Sequence, residues 1–218
     1  MSKEKCYCII CKKIKESSIE HIIPESLGNQ RFITKNVCET CNNRLGGRVE
    51  KIISDIPLNR FYAKGDIRNK TAKNRIKILE GIFSSKNIEA TKIEYLKIAY
   101  EFAHLVWGDE YLEDDIAKEL SKILNSIVEN TEYVYNLDDY IISLPNGKFY
   151  EESEAIEEEV MHCVRMVYND STCYVNIELH CNQILADSVL VKVTRNRERY
   201  QESKNTLQIR KNGKNIFL

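Results

Sequence analysis

The chain has 218 residues, 43% of them apolar and 30% charged, and a formal net charge of −1. That is too apolar for a disordered chain, and the length suits one large domain or a small domain attached to a larger one. No apolar run reaches the roughly 18 residues of a membrane span, and the first 15 residues mix Lys, Glu and Cys where an export signal would be apolar, so the expectation is a cytoplasmic protein with reduced cysteines. The near-neutral total conceals an asymmetry: residues 1–79 carry 17 Lys/Arg against 8 Asp/Glu, and the remainder carries 15 against 25. Such a balance fits a nucleic-acid-binding end joined to a solvated or partner-facing one.

Residues 1–57 read as a metal module. Short extended pieces around Tyr7-Cys8-Ile9 and over residues 32–37 bring together two Cys-x2-Cys pairs, Cys8/Cys11 and Cys38/Cys41. The second pair opens a helix that runs through Leu45, Val49, Ile52, Ile53 and Ile56 and stops before Pro57. Gly46-Gly47 is its weak point, at about 1 kcal/mol each relative to alanine, so the helix bends there or a backbone approaches closely. Residues 58–87 form a basic linker and strand. Arg60, Lys64, Arg68, Lys70, Lys73, Arg75 and Lys77 are opposed only by Asp66, and they read either as a solvated lead into a strand at residues 76–83 or as an arm that contacts phosphates.

Residues 88–218 read as a C-terminal α+β domain. Leu96, Ala99, Ala103 and Val106 repeat at helical spacing before Gly108, and Leu112, Ile116, Leu120, Ile123, Leu124 and Ile127 do so before Asn130, which predicts a helical hairpin. Antiparallel sheet follows: Cys173, Val175, Ile177, Leu179 and Cys181 alternate with Tyr174, Asn176, Glu178 and His180, the pattern of a strand with one solvated face. Further strands are expected at residues 190–193 and 207–209, with turns at Asn146-Gly147 and Asn212-Gly213. The glutamate-rich residues 151–159 read as an exposed loop or helix start.

The most specific chemical signal is the four cysteines. Two Cys-x2-Cys pairs suit a closed, tetrahedral structural zinc with Zn–S distances of about 2.3 Å, able to supply most of a small module's folding energy. Cys6 is an alternative to Cys8, since Cys6-x4-Cys11 is also a usable spacing; Cys8 matches the second pair better. A closed site leaves zinc no position for substrate, so a reaction needs a second metal. Glu20 and His21 lie between the pairs and Asn42 follows the last cysteine. A carboxylate and an amide oxygen are hard ligands suited to Mg2+ or Mn2+. A histidine with a reference pKa near 6.5 can then act as the base at neutral pH, although a lone histidine among isoleucines also fits a structural place. His104 reads as a packed or capping residue, His162 has no partner pair for a metal, and Cys163, Cys173 and Cys181 read as sheet core.

Cys8-x2-Cys11, Glu20-His21-Ile22-Ile23-Pro24-Glu25-Ser26-Leu27-Gly28, Asn36-Val37-Cys38 and Cys41-Asn42-Asn43-Arg44-Leu45-Gly46 together resemble the zinc-containing HNH endonucleases of the ββα-metal, treble-clef type. The resemblance covers roughly the first quarter of the chain and implies a zinc-stapled module there; with the helical hairpin and mostly antiparallel sheet read from the periodicity, the expected fold class is α+β. The resemblance implies His21 as general base, Glu20 as a metal-binding carboxylate, Asn36 as the asparagine that braces the hairpin, and Asn42, or Asn43 in competition, as second metal ligand. The family's further histidine along the helix is absent, with Gly46 or Gly47 near its place. The implied reaction is hydrolysis of a DNA phosphodiester with one divalent ion, leaving a 5′-phosphate and a 3′-hydroxyl, in prokaryotic or phage defence or DNA processing; RNA is the less expected substrate. Arg44 and Arg48 extend the implied nucleic-acid surface of Arg60, Lys64, Arg68, Lys70, Lys73 and Arg75. The competing reading is a non-catalytic treble clef that binds nucleic acid or protein. In either case the C-terminal domain could serve a homodimer or a regulatory partner. No membrane role is expected.

Overall fold

A computed structural model of the chain describes residues 4–25, 32–52, 85–143, 160–179, 187–202, 205–210 and 216–217. The expected strand at residues 76–83, the turns at Asn146-Gly147 and Asn212-Gly213, and the glutamate-rich residues 151–159 lie outside them. The fold is α+β, with the expected order of cysteine module, helices and antiparallel sheet.

The module opens with a hairpin of β1 (Lys5–Tyr7) and β2 (Ile14–Glu16), whose connecting turn carries Cys8 and Cys11. Cys8 and Ile9 thus lie in that turn and not in a strand. Lys12 adopts a left-handed backbone there, φ 55°, a conformation that costs an L-residue roughly 1–2 kcal/mol. A second ribbon pairs β3 (Glu20–His21) with β4 (Ile33–Thr34). Cys38 then caps α1 (Glu39–Leu45) and Cys41 lies in its first turn. The glycine pair neither ends this helix nor admits another backbone: α1 widens into a π-helical stretch, Gly46–Glu50, and remains helical through Ile52. A Cβ on Gly47 would meet nothing within 4 Å among the described residues.

Helix α2 (Ser85–Trp107) ends at Gly108, whose φ of +69° a side chain would resist. A boundary at residue 88 therefore falls inside its first turn. A 3₁₀ stretch, Gly108–Glu113, holds Leu112 ahead of α3 (Asp115–Glu129). The Asp114 carboxylate caps α3 by accepting from the Ile116 N–H at 2.9 Å, and left-handed Asn130 closes it. The two helices pack as a hairpin against the sheet.

Among the described residues that sheet has six strands: β5 (Ile141–Ser143), β6 (Val160–Tyr168), β7 (Cys173–Leu179), β8 (Asp187–Thr194), β9 (Thr206–Arg210) and β10 (Ile216–Phe217). All pairings are antiparallel, in the order β10-β9-β6-β7-β8-β5. Val164, Val175, Ile177, Val189 and Val191 join Leu96, Ala99, Phe102, Leu120 and Leu124 in one core. The expected solvated face of β7 is corrected: Asn176 and Glu178 are buried. Arg165 donates to Asn176 Oδ1 at 3.0 Å and to Glu178 Oε1 at 3.2 Å, which supplies the partners such burial requires. Cys163 and Cys173 are buried, as expected; His180 and Cys181 lie outside the described residues.

Candidate metal centre and active-site cleft

The sulfurs of Cys8, Cys11, Cys38 and Cys41 lie within 4.8 Å of one another and all four residues are buried. Four sulfurs about 2.3 Å from one ion stand about 3.8 Å apart; Cys11 Sγ and Cys38 Sγ are separated by 3.9 Å. The donor set therefore fits zinc. A hydrogen bond with the Cys41 thiol lowers the Cys8 pKa to about 4, burial opposes this, and the main-chain N–H groups of Cys11, Cys38 and Ile10 add to it. Burial pushes Cys11 up to about 11, the Cys8 charge adding to it. Cys6 stands on β1 outside the cluster, which resolves the alternative in favour of Cys8. Among the described residues every cysteine is free of disulfide.

Helix α2 docks on this metal knuckle. The buried Tyr100 hydroxyl donates to the Ile9 carbonyl at 2.6 Å and accepts from Lys12 Nζ at 2.9 Å. Because Ile9 lies between two cysteines of the cluster, a residue of the second region fixes the shape of the turn.

Closing the knuckle against α1 also sets the cleft beside it, of about 360 Å³, lined by Glu20, His21, Asn42, Gly46, Glu50 and Lys51 among others. Asn42 Nδ2 donates to the Ile19 carbonyl at 2.8 Å and to Ser18 Oγ at 3.2 Å. Both amide hydrogens are thereby used, which leaves Oδ1 as the atom that could hold a metal. Glu20 is buried; its Oε1 accepts from Lys97 Nζ at 2.6 Å, and its Oε2 is buried with no hydrogen-bond partner among the described residues. Two hard oxygens, one of them an orphaned buried carboxylate oxygen, suit a divalent cation of the Mg2+ or Mn2+ kind. His21 follows Glu20 on β3 and is half-buried at the same cleft.

Lys97 is fully buried and faces four carboxylates. It is 2.6 Å from Glu20 Oε1, 2.6 Å from Glu50 Oε1 and 3.6 Å from Glu94 Oε1, with Glu101 also adding to its field. Burial alone would lower the Lys97 pKa, but Glu94, Glu101, Glu20 and Glu50 outweigh it and hold the ammonium well above its ordinary range. Burial raises the Glu20 carboxyl against the pull of Lys97. Burial likewise drives Glu94 up to about 8 and Glu101 well above the usual carboxylate range, with Lys97 opposing in each case.

Other expected residues fall elsewhere. Asn43 is exposed and lines a separate, larger cleft of about 590 Å³ with Lys5, Lys15 and Arg44, away from Glu20 and His21. Asn36 braces the module through its main chain: its carbonyl accepts from the Ile9 N–H at 2.9 Å, and its own N–H donates to Thr34 Oγ1 at 3.1 Å. Arg44 donates to the Val128 carbonyl at 3.0 Å and pairs with Glu129, and Arg48 donates to the Ile127 and Val128 carbonyls. These two guanidiniums satisfy the end of α3, where cations are favoured, so their described contacts serve docking within the chain and not a free phosphate surface. Arg60, Lys64, Arg68, Lys70, Lys73 and Arg75 lie outside the described residues. His104 packs on α2 and meets Asp109 Oδ1 at 3.0 Å.

Sequence reasoning missed Glu50, Lys97 and Tyr100. A signal was present: Glu94, Lys97, Glu101 and His104 recur at steps of three and four along α2, a polar stripe on a stretch, residues 93–107, that is otherwise apolar. Such a stripe has to find buried partners.

A metal knuckle, a two-stranded ribbon and a helix whose first turn completes the cysteine cluster define a ββα-metal, treble-clef module. Residues 8–56 match the family model of the HNH endonucleases, and the four-cysteine cluster falls within that segment. No curated protein and no solved structure matches the chain. Among the described residues no helix is long and apolar enough to cross a membrane.

Proposed function

We propose that this protein is an endonuclease that hydrolyses DNA phosphodiester bonds with one divalent ion, Mg2+ or Mn2+, held by Glu20 and Asn42. The observation that carries the reading is the meeting of Glu20, His21 and Asn42 at one cleft beside the cysteine cluster, inside the segment that matches the HNH endonucleases. A divalent ion bound there supplies Lewis-acid stabilisation of the charge that develops on the phosphate and the leaving 3′ oxygen. His21 takes a proton from the attacking water. Asn42 keeps the cleft in register by tying α1 to the main chain just ahead of Glu20. The zinc holds Cys41, and hence Asn42, in place. Asn36 supports the arrangement through the knuckle. The products carry a 5′-phosphate and a 3′-hydroxyl.

The direct test is resealing. Supercoiled plasmid incubated with the protein and Mg2+ becomes nicked, and DNA ligase closes the nicks. Nicks that ligase cannot close contradict the proposed in-line attack and its leaving group, and an uncut plasmid contradicts the nuclease reading itself.

A further inference from the structure

Three carboxylates line the cleft, Glu20, Glu25 and Glu50, of which the sequence motif uses Glu20 as a metal ligand. Glu50 lies eight residues beyond Asn42 on the same continuous helix, at the end of the π-widened stretch, and its side chain is partly exposed to the cleft. Lys97 Nζ stands 2.6 Å from Glu50 Oε1 and 2.6 Å from Glu20 Oε1, so one buried ammonium grips both carboxylates by a single oxygen each. Glu20 Oε2 is buried without a partner among the described residues, and Glu50 Oε2 reaches back to within 3.9 Å of where a Cβ on Gly46 would stand. Gly46 is one turn after Asn42 and brings no side chain, so the space beside Asn42 is left to Glu50. The charges point the same way: Glu20 and Glu50 share one ammonium, and a cation nearby offsets the carboxylate charge that a single lysine leaves.

We propose that Glu50 is a third side-chain ligand of the divalent ion, beside Glu20 and Asn42, and that Lys97 is a positioning residue that sets both carboxylates from outside the matched segment. The inference rests on the metal-dependent reading above and deepens it by naming a ligand. Ligating carboxylates are held in place by hydrogen bonds from a surrounding shell, and Lys97 provides that hold for two of them at once.

The test is Mn2+ binding to the full-length, zinc-loaded protein, followed by calorimetry and by paramagnetic broadening of the His21 imidazole signals in NMR. The wild type binds one Mn2+ that broadens His21. Glu50→Gln weakens that binding by about 10-fold or more, with zinc content unchanged, and Lys97→Met weakens it while Lys97→Arg retains most of it. Unchanged Mn2+ affinity in Glu50→Gln, or no broadening of His21 in the wild type, overturns the ligand assignment. Tighter Mn2+ binding in Lys97→Met overturns the positioning role, because the lysine would then be competing with the ion. Should Lys97→Met fail to fold, Lys97→Arg and Glu50→Gln still decide. Mn2+ binding that depends on Glu50 in a protein that cuts no DNA leaves this inference standing and removes the nuclease reading; DNA cutting with an Mn2+ affinity indifferent to Glu50→Gln does the reverse.

Discussion

Lys97 Nζ and Glu20 Oε1 stand 2.6 Å apart with both side chains almost wholly buried, and this pair joins α2 to the ribbon strand that carries His21. Together with Tyr100 at the knuckle and with Arg44 and Arg48 at the end of α3, it makes the cysteine module and the helical hairpin one packed unit. The chemistry proposed for the module therefore depends on residues far outside it in sequence.

Tyr100→Phe isolates the contact at the metal knuckle. It keeps the ring and removes the donor to the Ile9 carbonyl, leaving a buried acceptor unpaired at a cost of about 1–3 kcal/mol. Urea unfolding should show that loss, and a chelator should extract zinc faster than from the wild type. Equal stability and equal zinc release would contradict the docking role given to Tyr100.

Replacing Cys8 or Cys41 by serine should remove the bound zinc, measured as metal per chain, and lower the melting temperature sharply, because a structural zinc site couples metal binding to folding. Cys6→Ser should keep both, since Cys6 stands outside the four-sulfur cluster. Zinc lost from Cys6→Ser would mean that the ligand set is misassigned.

Arg44→Ala and Arg48→Ala test docking against phosphate binding. Each removes donors from the carbonyls that end α3 and should lower stability by about 1 kcal/mol. DNA affinity in EDTA, and its salt dependence, should stay near wild type. A fall in the salt slope of about one charge per arginine would instead place these guanidiniums on phosphates.

Stability should fall as pH rises. The Glu94 pKa is about 8, raised by burial with Lys97 opposing and Glu50 and Glu20 adding to the rise, while an unfolded glutamate titrates near 4.3. The folded state thus holds a proton that the unfolded state has released, so this contribution is full below the unfolded pKa, declines as pH climbs through the interval, and is gone above about 8. Glu101, held well above the usual range among the same groups, acts in the same direction. Lys97, raised above its ordinary value, loses its share only at more alkaline pH. Unfolding free energies measured from about pH 6 to 8 should decline, and Glu94→Gln, which resembles the protonated form, should flatten the decline. A Glu94→Gln profile parallel to the wild type would contradict this assignment.

What the sequence made legible is what local spacing encodes. Four cysteines in two Cys-x2-Cys pairs identified the cluster, the Glu20-His21 and Asn42 positions identified the cleft, and Gly108 and Asn130 marked helix ends that the left-handed backbone there explains, φ 69° and 57°. Less legible was whatever depends on distant partners. The stripe that holds Lys97 calls for buried partners, but not for which ones: Glu50 is 47 positions away and Glu20 further still. Strand β6 gave no clear alternation because it is central, with β9 and β7 on its two sides and residues of both faces, Cys163 and Val164, buried. Asn176 and Glu178 looked solvated because the residue that satisfies them, Arg165, comes from that same strand. Arg44 and Arg48 looked like phosphate contacts because no local pattern reveals that α3 ends against them.

The first experiment is nicking of supercoiled plasmid by the wild type and by His21→Ala, each with Mg2+, Mn2+ or EDTA, with zinc content checked in both. Metal-dependent nicking by the wild type that is lost in His21→Ala at unchanged zinc is the expected result. Equal nicking by the two proteins would contradict the role of His21 as base, and no nicking by either, with zinc bound to each, would make this module a binding treble clef and not a nuclease.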